Sequence, residues 1–213
     1  MKNKILILAM LGVFSANFIH SDEVEEVVVQ ASILNVTQDE IGDPLHILSG
    51  TDVSDLGTAS LGETLDSLLG VTTSDYGPAV GQPIIRGLSG SRVKILTNGL
   101  VNRDVAGIGA DHKNEVDLSD IQQIEVVRGP SSLLYANGAS GGIVNIVDNT
   151  IATSDIEKRL FKLGFETQSV NSGDGQSFSV ADNLGGLNLY FSYSDSSFGN
   201  YDSCNLYPST AIV

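Results

Sequence analysis

Asp111 and His112 stand side by side in the polar, glycine-containing segment Asn102 to Val116, NRDVAGIGADHKNEV, with Asp104 and Glu115 close in sequence. A carboxylate oxygen and a neutral imidazole nitrogen are donors for first-row divalent metals, yet two residues fill only part of a four-coordinate site. Any further ligands must come from elsewhere, and an Asp-His pair in a polar loop is equally at home as a solvated surface. His46, the other histidine beyond the first 21 residues, lies in an uninformative stretch and reads as structural or exposed. No catalytic constellation accompanies the pair. The glycines between Gly138 and Gly142 lack the GK[ST] ending of a phosphate loop, and Ser131-Ser132 has no histidine base placed with it. An enzyme is therefore disfavoured.

The composition narrows the partners. A formal charge of −15 argues against nucleic acid, which such a surface would repel, and weakly suits cations. The single cysteine, Cys204, excludes an internal disulfide and a paired-cysteine zinc site. Compartment is indicated instead by residues 1–21, where Lys2 and Lys4 precede an apolar run from Ile5 to Phe14. That run is too short to span a bilayer and reads as a secretory signal peptide.

Several elements must position the loop. Ser60 and Glu63 fit a capping box, and Leu61, Leu65, Leu68 and Leu69 share one face, which predicts a helix within Gly57 to Gly70. Ile33 to Ser54 is strand-like and irregular, punctuated by Pro44 and Gly50. Candidate strands lie at Pro83 to Arg86 and Arg92 to Leu96, and Asn98-Gly99 is a tight-turn signal. Asp117 to Gln123 reads as a helical turn capped by Asp117. The stretch that organises the rest is Ile124 to Val147, IEVVRGPSSLLYANGASGGIVNIV. It reads as strand, turn, a helical turn begun by Pro130, a glycine-rich turn and a second strand. Glycine there permits positive φ or close backbone approach, so the segment is built to be packed against something.

That stretch, together with GQPIIRG (Gly81 to Gly87) and RVKILTNGLVNRD (Arg92 to Asp104), resembles the plug domain of TonB-dependent outer-membrane receptors over roughly residues 24–150. The resemblance implies an α+β plug, with a small mixed sheet and short helices, over residues 33–150. It also implies an outer-membrane location, and import of a ligand without chemistry on it. Arg86 and Arg128 would meet acidic groups on the barrel wall, or else bond within the plug itself. The ADH triplet resembles the plug loop of the outer-membrane zinc receptors. Asp111 and His112 are then expected to bind zinc or a similar divalent metal as transported ligand, with barrel residues completing the site. A receptor for a siderophore, haem or cobalamin is the alternative, and a soluble periplasmic binding or interaction domain is a reading of another class.

Residues 22–32, DEVEEVVVQAS, place three valines behind an acidic cluster. An exposed β-prone segment of this kind can add to another protein's sheet edge. In the resembled family this is the TonB box, here Glu26, Val27, Val28, Val29, Gln30 and Ala31, bound by the energy-transducing protein TonB. A first strand of the plug's own sheet is the competing reading.

After Asn149 the pattern changes to period two. Leu160 to Val170 sets Phe161, Leu163 and Phe165 against Lys162, Gly164 and Glu166, and Gln176 to Leu184 and Leu187 to Ser196 alternate likewise. Ten-residue alternating segments joined by Gly, Asp and Asn turns suit a transmembrane barrel, although a soluble meander would read alike. The 64 residues from Thr150 to Val213 allow three or four spanning strands, whereas large plugged transporters close with about 22. Open strand edges are not tolerated in hydrocarbon, so residues 151–213 are expected to be an incomplete barrel start, unable to close a pore alone. The sequence thus reads as the amino-terminal part of a receptor, ended by truncation or a shifted frame.

Overall fold

A computed structural model describes residues 45–200 apart from 115 and 153; the signal region, the proposed TonB box and Cys204 lie outside the described residues. The core is a five-stranded mixed sheet in the order β1-β6-β7-β4-β5. It comprises β1 (Leu45–Ser49), β4 (Val93–Thr97), β5 (Leu100–Val101), β6 (Ile121–Arg128) and β7 (Gly142–Asp148). Only the β4–β7 pairing is parallel. Strands β6 and β7 are central and largely buried on both faces, as expected of strands covered on two sides. On one face Ile124, Val126, Val144 and Ile146 pack with Leu61, Leu65, Val71 and Ile85. On the other Val127 and Ile143 pack with Leu45, Leu96, Ala136 and Ala139.

Helix α1 (Gly50–Leu56) stands where the sequence suggested only irregular strand. Ser49 explains it: its Oγ accepts from Asp52 N at 3.2 Å, and Asp52 Oδ2 accepts from Ser49 N at 3.0 Å, a complete capping box. Helix α2 (Leu61–Leu65) confirms the capped start at Ser60 but is shorter than the leucine spacing implies. Glu63 Oε2 reaches back to Ala59 N, one residue beyond the usual box. The chain then leaves the helix. Asp66 Oδ1 accepts from Thr73 N at 3.1 Å and ties the turn to β2 (Val71–Asp75), so Leu69 ends 82% exposed instead of in the core. β2 pairs antiparallel with β3 (Gly81–Ile85).

The Asn98-Gly99 turn joins β4 to β5 with φ of 51° and 79°, the left-handed pair that a tight hairpin of this type needs. Pro130 opens a 3-10 turn, Pro130–Leu134, as its fixed φ favours. Gly142 has φ of 155°, and a Cβ there would sit 2.8 Å from the Val127 carbonyl oxygen and 3.0 Å from Ile85 Cδ1. The glycine-rich turn is therefore packed by the plug itself, not by the C-terminal third of the chain. The helical turn expected over Asp117 to Gln123 is a short Asx turn instead: Asp117 Oδ1 accepts from Ser119 N at 2.9 Å and β6 starts at Ile121.

Strands β8 (Leu160–Gln168), β9 (Gly173–Leu184) and β10 (Leu187–Ser197) form a separate antiparallel sheet, β10-β9-β8, close to the bounds that alternation predicted. Pairing rows resolve its two faces. Phe161, Val180 and Phe191 share one row and Leu163, Phe178 and Tyr193 the next, with Phe161 and Phe178 in an edge contact at 5.3 Å. Phe161, Leu163, Phe191 and Tyr193 are all more than half exposed on that face. Lys162, Ser179 and Ser192, then Gly164, Ser177 and Ser194, occupy the opposite face, which lies towards the plug turn Asp117–Asp120. An exposed apolar face backed by a polar one is the pattern of a barrel wall, whose outer side meets lipid.

Candidate metal-binding loop

Loop residues 102–114 leave β5 and pass over the end of β3. Asp104 caps a 3-10 turn, Val105–Gly107, by accepting from Gly107 N at 3.2 Å, so it serves the loop's own fold. Asp111 and His112 are both exposed. Around the position a Cβ on Gly109 would take, Asp111 Oδ1 lies at 2.6 Å and His112 Nε2 at 3.7 Å, so carboxylate and imidazole flank one point. Among the described residues no group of three His, Cys, Asp or Glu side chains converges. The loop therefore offers two donors, and Glu115 lies outside the described residues.

The residue that holds this loop is Gln82 of β3, a buried amide whose role the sequence did not disclose. Its Nε2 donates to the carbonyls of Ala106 at 2.8 Å, Gly109 at 2.8 Å and His112 at 3.2 Å. Three converging carbonyls fix which end of the amide carries the nitrogen. A polar side chain between Gly81 and Pro83, in an otherwise apolar strand, was the available signal. Beside it lies a cavity of about 50 Å³ lined in part by Asn102, Asp104 and Asn114. Asn114 Nδ2 is buried there without a protein acceptor, and the space suits one or two waters. Lys113, next to His112, lies 6.0 Å from the Phe198 ring centre just beyond β10. Lys113 and Phe198 both border a larger cavity of about 650 Å³ between plug and C-terminal sheet, whose rim also carries Asp117, Glu166 and Asp195.

The two arginines are placed differently from one another. Arg128 donates through Nη1 to the Leu69 carbonyl, within the plug, while its Nε is buried without a partner. Burial first, and then the Arg128 guanidinium, hold the His46 imidazole below its ordinary value. Arg86 is exposed, adopts φ of 52° at the end of β3, and brings Nη1 within 3.3 Å of the place a Gly129 Cβ would take. The Arg128 Nη1 lies instead 3.1 Å from the place a Gly70 Cβ would take, and neither guanidinium makes an ion pair among the described residues.

A buried carboxylate also escaped notice in the sequence. Glu125 of β6 is wholly buried, with Asn145 Nδ2 at 2.8 Å and Gln123 Nε2 at 2.6 Å, and Asn145 Oδ1 accepts from Gly99 N. Its single charge hides in the apolar run IEVV, where period alone reads it as core.

Comparison with known proteins agrees with this architecture. The family model described as the TonB-dependent receptor plug domain matches residues 37–143. The vitamin B12 transporter BtuB of Vibrio vulnificus (strain CMCP6) is 25% identical over 162 residues, 73% of this chain and 26% of the relative. Among solved structures, the copper transporter OprC superposes with a TM-score of 0.61 at 20% identity, covering 74% of this chain and 24% of that one. The ferric enterobactin receptor PfeA superposes at 0.58 and 20% identity, covering 74% and 25%. The chain spans about a quarter of the length of these relatives. The mixed sheet under a clasped loop, followed by strands with an apolar outer face, is thus an outer-membrane architecture and not that of an enzyme: the chain belongs to the TonB-dependent receptor plug-domain family.

Proposed function

We propose that this chain supplies the plug and first wall strands of a TonB-dependent importer whose cargo is a divalent metal ion, zinc or one similar to it, taken up into the periplasm. The observation that carries the reading is the placement of Asp111 and His112 about one point, on a loop clasped from beneath by Gln82. The carboxylate contributes charge and the imidazole a nitrogen donor, and residues outside the plug complete the shell. Residues 1–21 act as the export signal. Glu26, Val27, Val28, Val29, Gln30 and Ala31 pair as an added strand with TonB in the periplasm, and β1 follows a short way along the chain. Arg86, beside Gly129, and Arg128, beside Gly70, pair with acidic groups of the wall.

A second reading, import of a chelated metal such as cobalamin or a siderophore, is favoured by the two-donor loop and by the likeness to a vitamin B12 transporter. Metal uptake by cells carrying the receptor with this plug separates the two. Asp111→Ala and His112→Ala should each cut uptake of free zinc at least tenfold while leaving the receptor in the outer membrane. Unchanged zinc uptake in both variants, with cobalamin or siderophore uptake present, would replace the first reading by the second.

A further inference from the structure

Asp120 ends the turn before β6 and is 9% exposed, yet its carboxylate accepts hydrogen bonds from three separate parts of the chain. Lys162 Nζ of β8 lies 2.6 Å from Oδ1, and Tyr190 of β10 donates its hydroxyl to Oδ2. Asn149 Nδ2, where the plug leads into the strands, donates to Oδ1 at 3.0 Å. The two outer strands of the C-terminal sheet thus each contribute one donor to a single plug carboxylate, and β9 is paired between them. Two further contacts set the orientation. Ser194 Oγ donates to Asp117 Oδ2 at 2.6 Å, four residues along β10 from Tyr190, roughly 13 Å at the rise of a strand. Gln168 Nε2 at the end of β8 reaches the Gly57 carbonyl at 3.3 Å. Three separated points fix a plane.

We propose that Asp120 is a docking hub that seats β8, β9 and β10 on the plug in one register without help from any further strand. The physical reason is the asymmetry of the sheet. Its outer face is apolar and exposed, so only its polar face can be matched by protein, and a carboxylate sharing three donors rewards the one placement in which all three reach it. Removing the carboxylate takes the acceptor from the half-buried Tyr190 hydroxyl and the ion-pair partner from the more exposed Lys162 ammonium. Seated in this way, the strands bury Ala181, which lies in the same pairing row as Tyr190.

The test uses the full chain in detergent micelles, with Cys204 replaced by serine and Ala181→Cys as reporter. Labelling of that cysteine by a hydrophilic maleimide should quicken tenfold or more in Asp120→Ala and in Lys162→Met/Tyr190→Phe. Amide exchange in β6 and β7, measured on the same samples, should stay within twofold. The charge swap Asp120→Lys with Lys162→Asp should recover at least part of the slow labelling. Labelling unchanged in both the plug-side and strand-side variants would overturn the proposal. Equal acceleration of exchange in β6 and β7 would also overturn it, because Asp120 would then be a residue of the plug's own fold.

Discussion

Gln82 shows how one amide can govern a functional loop. Its three carbonyl acceptors sit over seven residues of loop, and no other described side chain bonds so many of them. Gln82→Ala should destabilise the loop by about 1–3 kcal/mol, because buried carbonyls lose a donor that water does not fully replace. Amide exchange over residues 105–112 should rise while β6 and β7 stay protected. Asp120 yields a pH prediction at the same scale. Burial pushes its carboxyl up, but the bonds from Lys162, Tyr190 and Ser179 outweigh it, and the net value lies below the ordinary 3.8. Asp117 behaves alike, with burial opposed by bonds from Ser119 and Ser194 and the Asp120 charge pressing it upward. A carboxylate depressed in the folded state contributes stability that is fully present above pH 3.8 and fades as pH falls through its lower folded value. The plug-to-sheet contact should therefore be constant from neutral pH to about 4 and weaken below it. Near-ultraviolet circular dichroism of the tyrosines, with the transition reduced in Asp120→Asn and lost in Asp117→Asn/Asp120→Asn, checks this.

At the scale of elements, the central ladder β6–β7 was legible because both strands are apolar, β-branched and bounded by Gly-Pro or glycine turns. Helix α1 was not, because its signal is a cap and not an apolar stripe: Val53 is its one buried residue. Helix α2 was over-extended, since leucines at helical spacing continue past the point where Asp66 takes the chain into β2. Gly142→Ala should cost on the order of 3 kcal/mol, because the new Cβ meets the backbone oxygen of Val127, which cannot step aside as a side chain would. Thermal unfolding measures that loss. Ser49→Ala should remove about 1 kcal/mol by leaving the first turn of α1 without its cap.

For the whole molecule, the decisive feature is that two bodies of opposite polarity logic share one chain. The plug gathers its strand residues into two buried apolar clusters, whereas β8–β10 display their apolar side chains, with Phe161, Phe178 and Phe191 clustered on the outer face. Phe191→Lys should weaken association of the full chain with lipid vesicles by about 2–4 kcal/mol if the residue sits near mid-bilayer, the cost of a cation on a lipid-facing strand. Vesicle flotation at increasing lipid concentration reads the change directly. A lysine in place of Ser177, on the polar face, should leave flotation unaltered.

The chain's own letters determined the ladder strands, the tight turn at Asn98-Gly99, the period-two strands after Asn149 and the adjacency of Asp111 and His112. These are local facts, set by propensity and by spacing of a few residues. Tertiary structure alone decided that Gln82 would grip a loop 24 to 30 positions away, that Asp120 would gather donors 29 to 70 positions away, and that a glutamate would lie within the core. A polar side chain in isolation does not specify its partner. Which donor meets which acceptor depends on how the sheets bring distant segments within 3 Å, and no period in the sequence encodes that distance.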